Sequence, residues 1–185
     1  MMNFGMRHGL KKSTPCNKVK FLCGAIYSHE EAYNNAKRIL IKKFGNFDFE
    51  SQRIDFHFTD YYTKEMGKPL FRRFISFKKL RNPQECVKIK TFCIAVERKL
   101  SREGRRTVNI DPGYLNEAKL VLFTTKDFSH RIYLGKGIYG EVTLSYRKGN
   151  FCDLPTTYPD YRTPAYKHIL LSIRDLYRRQ KNGTC

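Results

Sequence analysis

The chain has 185 residues, with 36 Lys and Arg against 17 Asp and Glu, which gives a formal net charge of +19 at pH 7. This length is typical of one domain, and a hydrophobic content of 41% excludes a wholly disordered chain. So large a positive excess favours polyanionic partners and disfavours acidic ones. Because the basic residues are dispersed along the chain, lysine usage on a solvated surface is the competing interpretation.

We expect a cytoplasmic protein without a membrane span. No apolar run is long enough to cross a bilayer, and residues 1–18 are basic without the apolar core of a signal peptide. The six cysteines include no C-x-x-C pair, which argues against a structural zinc site. We expect residues 1–18 to be a flexible basic arm, residues 19–181 to form a single domain and residues 182–185 to be a loose tail.

In chain order, the first predicted elements are a buried strand at residues 19–27 and a helix that ends at Gly45. Ser28 and Glu31 have the spacing of a capping box at the start of that helix. A second helix is expected to begin after Asn82, and a last one after Thr163. Further strands are predicted at residues 53–58, 72–77, 107–110, 119–125, 131–134 and 138–146.

The order of the first six elements is strand, helix, strand, strand, helix, strand, which matches a ferredoxin-like unit. We therefore predict an α+β domain with an antiparallel-rich sheet and helices on one face of it. The sheet would be extended by a C-terminal β-hairpin, and a final helix would complete the chain.

A glycine-rich stretch, residues 134–142, matches the G-x-G-x-x-G pattern of protein kinases through Gly135, Gly137 and Gly140. A kinase also needs a catalytic loop and a metal-binding motif after the glycines, and both are missing here. The G-x-x-x-x-G-K-[ST] phosphate loop is missing too. Because the glycines lie between two strand-like runs, we predict that they form a hairpin turn.

The first candidate functional segment is residues 58–67, a polar and aromatic run directly after a predicted strand. Asp60 and Glu65 have the chemistry to bind a cation or to act as acid and base, and Tyr61 and Tyr62 to stack on a ring. The structural alternative is a turn capped by Asp60 with Glu65 in solvent.

Two further segments carry polar residues that structure alone does not explain. In residues 109–116, Asp111-Pro112-Gly113 is typical of a turn, which leaves Asn109 and Tyr114 without a structural role. In residues 124–135, Lys126, His130 and Arg131 together resemble an anion site, in which the histidine would move a proton. The alternative is again structural, since a lone histidine is more often structural than catalytic.

We predict that these segments meet in one mixed-charge, aromatic pocket suited to a phosphorylated ligand. The predicted catalytic residues are His130, Asp60 and Glu65. The predicted phosphate- or nucleotide-binding residues are Lys126, Arg131, Asn109, Tyr62, Tyr114 and Tyr133. The predicted metal ligands are Asp111 and Glu141, whose carboxylates would hold Mg²⁺.

Four long motifs resemble a bacterial family, the domain of unknown function family 4416: FTDYYTKEMG, FRRFISFKKL, TYPDYRTPAY and the run from VNIDPGYL to VTLSYRKG. The resemblance extends from about residue 19 to residue 177 in the same order. It implies that the motif residues form the functional face, and members of the family are sometimes labelled GTP-binding proteins. It also implies that alanine often stands at the position of Gly140, so the third glycine would be incidental.

Two functions of different classes follow from these observations. The first is a module that binds a nucleotide or RNA through a basic, aromatic-lined face. The second is a metal-assisted enzyme that acts on a phosphate-containing small molecule. A purely structural or interaction role, in which the motifs only determine the fold, is the third possibility.

Overall fold

A single antiparallel sheet of nine strands organises the computed structural model of the chain, which describes residues 17–183. The predicted basic arm therefore lies almost entirely outside the described residues. The strands are β1 Lys20–Tyr27, β2 Phe47–Glu50, β3 Ile54–Asp55, β4 Phe71–Phe77, β5 Val108–Leu115, β6 Lys119–Thr124, β7 Ile132–Gly135, β8 Ile138–Arg147 and β9 Asn150–Asp153. The helices are α1 Glu30–Phe44, α2 Thr63–Met66, α3 Cys86–Leu100 and α4 Pro164–Lys181.

The α+β class is confirmed, and the strand order along the sheet is β2-β4-β1-β5-β6-β8-β7. β1 lies between β4 and β5 and pairs with both, and all its side chains are buried. Strands buried on both faces read as continuous apolar runs rather than as alternating ones, which is why residues 19–27 could be recognised from sequence.

The helices lie on both faces of the sheet, so the prediction that they share one face is wrong. Phe21, Cys23 and Ala25 of β1 pack with α1 and α3, whereas Leu22 packs with α4. Successive side chains of a strand point to opposite faces, and both faces of β1 are apolar. One layer of helices would have left half of this apolar surface in water, and α4 covers it with Tyr166, Leu170, Ile173 and Tyr177.

Local helix and turn chemistry was predicted with mixed success. The capping box at Asn82 is present, and Thr163 caps α4 by accepting a hydrogen bond from the backbone of Tyr166. At α1, however, the N-cap is His29, and it makes no side-chain capping bond. The predicted strand at residues 53–58 was largely wrong: only Ile54–Asp55 pairs there, and the main partner of β4 is β2.

The Asp111-Pro112-Gly113 run was predicted to be a turn, and it instead lies within β5. Pro112 is opposite Cys23 of β1, while pairing of β5 with β6 covers only Gly113 to Leu115. The proline therefore stands where one flank of the strand has no partner, which is where a strand tolerates the loss of an N–H. Gly113 allows β6 to approach, because a Cβ here would overlap the carbonyl oxygen of Val121.

The glycine-rich stretch forms the predicted hairpin between β7 and β8. Lys136 and Gly137 have φ values of 53° and 71° at its turn, so the chain needs residues there that tolerate the left-handed region. Within residues 17–183, no helix is long and apolar enough to cross a membrane.

Candidate functional site

A cleft with a volume of about 550 Å³ opens at the end of the sheet where β5 and β6 separate. It lies between the sheet, the α2 segment (residues 56–66) and the loop before α4. Hereafter this is the central cleft, and its walls include Phe56, Tyr62, Arg72, Asp111, Phe123 and Asp160. Ile26, Met66 and Leu70 form with Phe56 a small apolar cluster that fixes the α2 segment to the sheet.

Arg72 of β4 is a buried cation of the central cleft, with only 3% of its side chain exposed. Its Nη1 donates to Asp111 Oδ2 at 3.3 Å, and its Nη2 to Asp160 Oδ2 at 3.0 Å. Gly24 makes room for it, since a Cβ at that position would overlap the guanidinium. Burial lowers the pKa of Arg72, but the effects of its neighbours are larger together and raise it above the ordinary value. These neighbours are Tyr161, Tyr166 and the two carboxylates, and Arg72 therefore stays protonated.

Arg106 connects the α2 segment to β5. Its Nε and Nη2 donate to the two carboxylate oxygens of Glu65 at 2.6 and 2.7 Å, and its Nη1 donates to Asn109 Oδ1 at 2.9 Å. This bidentate pair is the strong geometry for arginine and carboxylate. The hydrogen bonds from Arg106 hold the pKa of Glu65 below its usual value, against the smaller opposing effect of burial.

Two buried charged residues of α3, Lys90 and Glu97, line the central cleft beside β5. Both bind the backbone of Ile110. Lys90 Nζ donates to the Ile110 carbonyl at 3.2 Å, and the Ile110 N–H donates to Glu97 Oε1 at 2.5 Å. Burial raises the pKa of Glu97 in spite of the nearby Lys90. These bonds secure the strand that carries Asn109 and Asp111.

Glu141 of β8 organises the other wall of the central cleft. Glu141 is buried, with only 3% of the residue exposed. Its Oε2 accepts from Arg131 Nε at 2.7 Å and lies 2.9 Å from His130 Nε2. Arg131 also donates to the hydroxyl of Tyr158, whose pKa rises to about 12, chiefly through burial and then through Glu141.

Cations and aromatic rings meet at the rim. Lys126 Nζ lies 4.4 Å from the ring centroid of Tyr61, which is 52% exposed. The Arg106 guanidinium lies 5.7 Å from the same ring and 5.6 Å from that of Tyr62. In the described part of the chain, Lys126 has no carboxylate within ion-pair distance. It is therefore an exposed cation whose charge no carboxylate neutralises.

Three buried polar atoms of cleft residues have no hydrogen-bond partner within residues 17–183: Asn109 Nδ2, Arg72 Nε and the hydroxyl of Tyr161. Asn109 is buried, with 5% of the residue exposed. The orientation of its amide is fixed, because the Arg106 guanidinium can only donate and must therefore face Oδ1. Buried polar groups in proteins almost always have a partner. These donors are therefore suited to acceptors on a bound molecule.

The structure brings six of the predicted residues together along the central cleft: Tyr62, Asn109, Asp111, Lys126, Arg131 and Glu141. Glu65 and His130 stand behind this lining, bound to Arg106 and Glu141 respectively. Their position fits orientation of other side chains better than contact with a ligand.

Three predicted residues lie elsewhere. Asp60 has a side chain that is 87% exposed and pairs with Lys68. Tyr114 packs against Phe123 in the core beneath α1 and α3, and Tyr133 is exposed on the edge strand β7. Among residues 17–183, no group of three or more His, Cys, Asp or Glu side chains is placed to hold a metal ion.

Sequence analysis missed six cleft residues: Arg72, Lys90, Glu97, Arg106, Tyr158 and Asp160. A pattern was available for some of them. Arg72 is a charged residue within an apolar strand, and Glu97 and Lys90 are seven residues apart beside the apolar stripe of α3. Charged residues at such positions are rarely buried unless they are paired.

The comparisons with known proteins identify a family and no activity. Neither the curated proteins nor the solved structures include a significant match to this chain. One family model matches residues 17–177, which is most of the chain and includes every residue of the central cleft. The protein therefore belongs to the family described as Domain of unknown function (DUF4416).

Proposed function

We propose that the central cleft binds a nucleotide. The observation that supports this most directly is the combination of aromatic rings with an unpaired cation, Lys126, at the rim of a cleft of about 550 Å³. Ligand pockets for molecules of this class have volumes of roughly 300–1,000 Å³ and few, well-placed polar groups. A nucleotide offers a planar ring for the aromatic walls and a phosphate for the cation.

The phosphate is assigned to the rim, beside Lys126 and Arg106. Both cations lie over Tyr61, and only Arg106 is already bonded to a carboxylate. A phosphate placed there would give Lys126 the anionic partner that it lacks, through a charge-assisted hydrogen bond. Arg72 lies too deep in the protein to serve this purpose, and both of its Nη atoms are already bonded to carboxylates.

The base is assigned to the interior. Tyr62 and Phe123 supply aromatic surface, and Asn109 supplies a buried N–H donor without a partner. A ring nitrogen or carbonyl of a base would accept that hydrogen bond. Stacking on aromatic side chains contributes about 1–3 kcal/mol per base, which adds to the hydrogen bond from Asn109 and to the phosphate contact at the rim.

The metal-assisted enzyme has less support. Asp111 is bonded to Arg72, and Glu141 to Arg131 and His130, so both carboxylates already have cationic partners. A divalent ion would have to displace those partners. His130 touches Glu141 rather than lining the cleft, which favours a role in positioning Glu141 and Arg131 over proton transfer to a ligand.

We also infer a ferredoxin-like topology for the first half of the fold. The strands β2, β4, β1 and β5 are adjacent in that order and antiparallel, and α1 and α3 lie on one face of them. This arrangement supports two interleaved strand-helix-strand units.

The test is binding of nucleotides to the purified, nucleic-acid-free protein, measured by thermal shift and by calorimetry with GTP, ATP, UTP and CTP. A ligand that binds the native state raises the melting temperature by mass action. Lys126→Gln should weaken binding at least tenfold, because a charge-assisted hydrogen bond contributes about 1.5–3 kcal/mol. Lys136→Gln is the matched control: it removes the same charge from the hairpin turn, outside the cleft.

The expected result is binding of at least one nucleotide that Lys126→Gln weakens and Lys136→Gln leaves unchanged. Failure of all four nucleotides to bind, or an equal effect of the two substitutions, would contradict the proposal.

A further inference from the structure

The end of the sheet opposite the central cleft carries a second concentration of positive charge. Its exposed side chains are Lys18, Lys42, Lys43, Lys78 and Lys79, and together they are called the basic end. They lie in three different parts of the chain: the residues just before β1, the last turn of α1, and the loop after β4. β1 starts at this end and finishes at the cleft, and its eight residues separate the two by roughly 23 Å.

Hydrogen bonds from two side chains and one backbone N–H join the segments that carry these lysines. Tyr177 of α4 donates to the carbonyl of Lys18 at 3.1 Å, and Gln180 donates to the carbonyl of Lys78 at 2.8 Å. The Lys78 N–H donates to the carbonyl of Asn46, directly after α1, at 2.9 Å. The ends of α1 and α4 and the loop after β4 are therefore joined.

Three carboxylates near this surface are already engaged. Asp48 binds the buried Lys20, Glu85 binds Arg81 at 2.9 Å, and Glu117 binds Lys181 at 3.1 Å. A fourth carboxylate, Asp175, lies further back along α4. Within the described residues, none of the five lysines of the basic end has a carboxylate at ion-pair distance. Their charge is therefore left for a partner or for solvent.

The chemistry of the surface distinguishes between classes of partner. The large hydrophobic side chains that are exposed within residues 17–183 are Tyr61, Phe128, Ile132, Tyr133, Leu134 and Val142, and none belongs to the basic end. A membrane-binding surface inserts apolar side chains, and the core of a protein interface is depleted of charge. A phosphate backbone needs only spaced cations.

We propose that the basic end binds the phosphate backbone of nucleic acid, independently of the nucleotide proposed for the central cleft. Within the described residues, Lys43 alone of the five has an aromatic ring at cation–π distance, the half-buried Phe92 at 5.3 Å. The surface therefore recognises phosphates rather than bases, and binding there has little sequence preference. Each phosphate contact releases a counterion, and affinity therefore falls steeply as salt rises.

The test compares two quadruple variants of equal charge by fluorescence anisotropy with a short labelled single-stranded RNA and with a duplex DNA. The first replaces Lys18, Lys42, Lys78 and Lys79 by Gln. The control replaces Lys64, Lys99, Arg105 and Lys136 by Gln, all exposed and away from the basic end. Circular dichroism and thermal unfolding check that both variants keep the fold.

We expect the slope of log affinity against log salt to fall by about 2 to 3 in the first variant, since each contact to a single strand contributes about 0.7. Affinity at low salt should fall at least tenfold, while the control keeps at least half of the wild-type affinity. If the quadruple variant does not fold, Lys78→Gln with Lys79→Gln should lower the slope by about 1. Nucleotide binding in the cleft should be unaffected in either case.

Equal losses in the two variants would show that only net charge matters and would overturn the assignment to the basic end. Absence of binding to both nucleic acids at low salt would overturn it as well. Binding to anionic phosphatidylserine vesicles that the first variant loses, with no binding to RNA or DNA, would replace the nucleic acid by a membrane surface.

Discussion

At the cleft end of the sheet every arginine that lines the cavity is bonded to a carboxylate, whereas at the basic end the exposed lysines have none within residues 17–183. Arg72 has two carboxylate partners and almost no exposed surface. Lys79 is exposed and has no carboxylate partner among the described residues. The two ends therefore contribute differently to the same net charge of +19.

The difference has a physical cause. A charge removed from water loses several kcal/mol of hydration, so it persists inside a protein only when it is paired and hydrogen-bonded. An exposed lysine keeps its hydration and needs no partner. Net charge therefore describes the basic end well, but it says little about the central cleft, where positive and negative side chains nearly balance.

The largest expected effect is at Arg72. Arg72→Met leaves Asp111 and Asp160 without their shared cation, and we expect the free energy of unfolding to fall by about 3–5 kcal/mol. Lys79→Gln at the basic end should change it by less than about 0.5 kcal/mol. Urea unfolding followed by circular dichroism measures both.

A double variant makes this comparison sharper. Adding Asp160→Asn to Arg72→Met removes one of the two unpaired carboxylates, and part of the lost stability should return. Burial already raises the pKa of Asp160 against the effect of Arg72, so its neutral form suits this environment. If Arg72→Met were no more harmful than Lys79→Gln, the distinction between the two ends would be wrong.

An intermediate effect is expected where the cleft begins. Gly113→Ala places a Cβ against the backbone carbonyl of Val121, which cannot move without shifting β6, and should cost about 1–3 kcal/mol. Gly140→Ala is the matched control, because its Cβ would lie 2.9 Å from the flexible end of Leu134. Urea unfolding should show a clear loss for the first and less than about 1 kcal/mol for the second. Equal losses would mean that β5 and β6 do not need their close approach.

Local chemistry made much of the fold predictable. The hairpin glycines, the Asn82 capping box and the Thr163 cap each act within a few residues, and all three are present. Asp111-Pro112-Gly113 shows the limit: its sequence is typical of a turn, but pairing with β1 keeps it extended. Since the partner strand is distant in the chain, no local pattern contains that information.

The same limit applies to the site. Asn109, Lys126 and Glu141 belong to segments with polar residues that local structure did not explain, and all three line the central cleft. Arg72 was missed because its burial depends on space above Gly24 and on Asp160, which lies 88 residues later. Asp60 shows the opposite error, a polar residue in the right segment that points to solvent.

The smallest effect concerns the attachment of the α2 segment to the cleft. Glu65→Gln removes the ion pair with Arg106, and because this pair is partly exposed, the free energy of unfolding should fall by less than about 1 kcal/mol. Protection of the α2 amides, such as Met66 and Gly67, should fall by up to about fivefold in hydrogen exchange, since the opening is local. Asp60→Asn, which alters an exposed pair on the same segment, is the control and should leave this protection unchanged.

The pH dependence gives this last prediction its sign. The pKa of Glu65 is lower in the folded protein than its ordinary value of 4.5, so its contribution is complete above that pH and is lost as the pH falls through the lower value. The wild-type protein and Glu65→Gln should therefore differ in α2 protection at neutral pH and converge in acid. A difference that persists after Glu65 is protonated would assign the effect to packing of the side chain, and the attachment of the α2 segment would then depend on the apolar cluster of Ile26, Phe56 and Met66 rather than on charge.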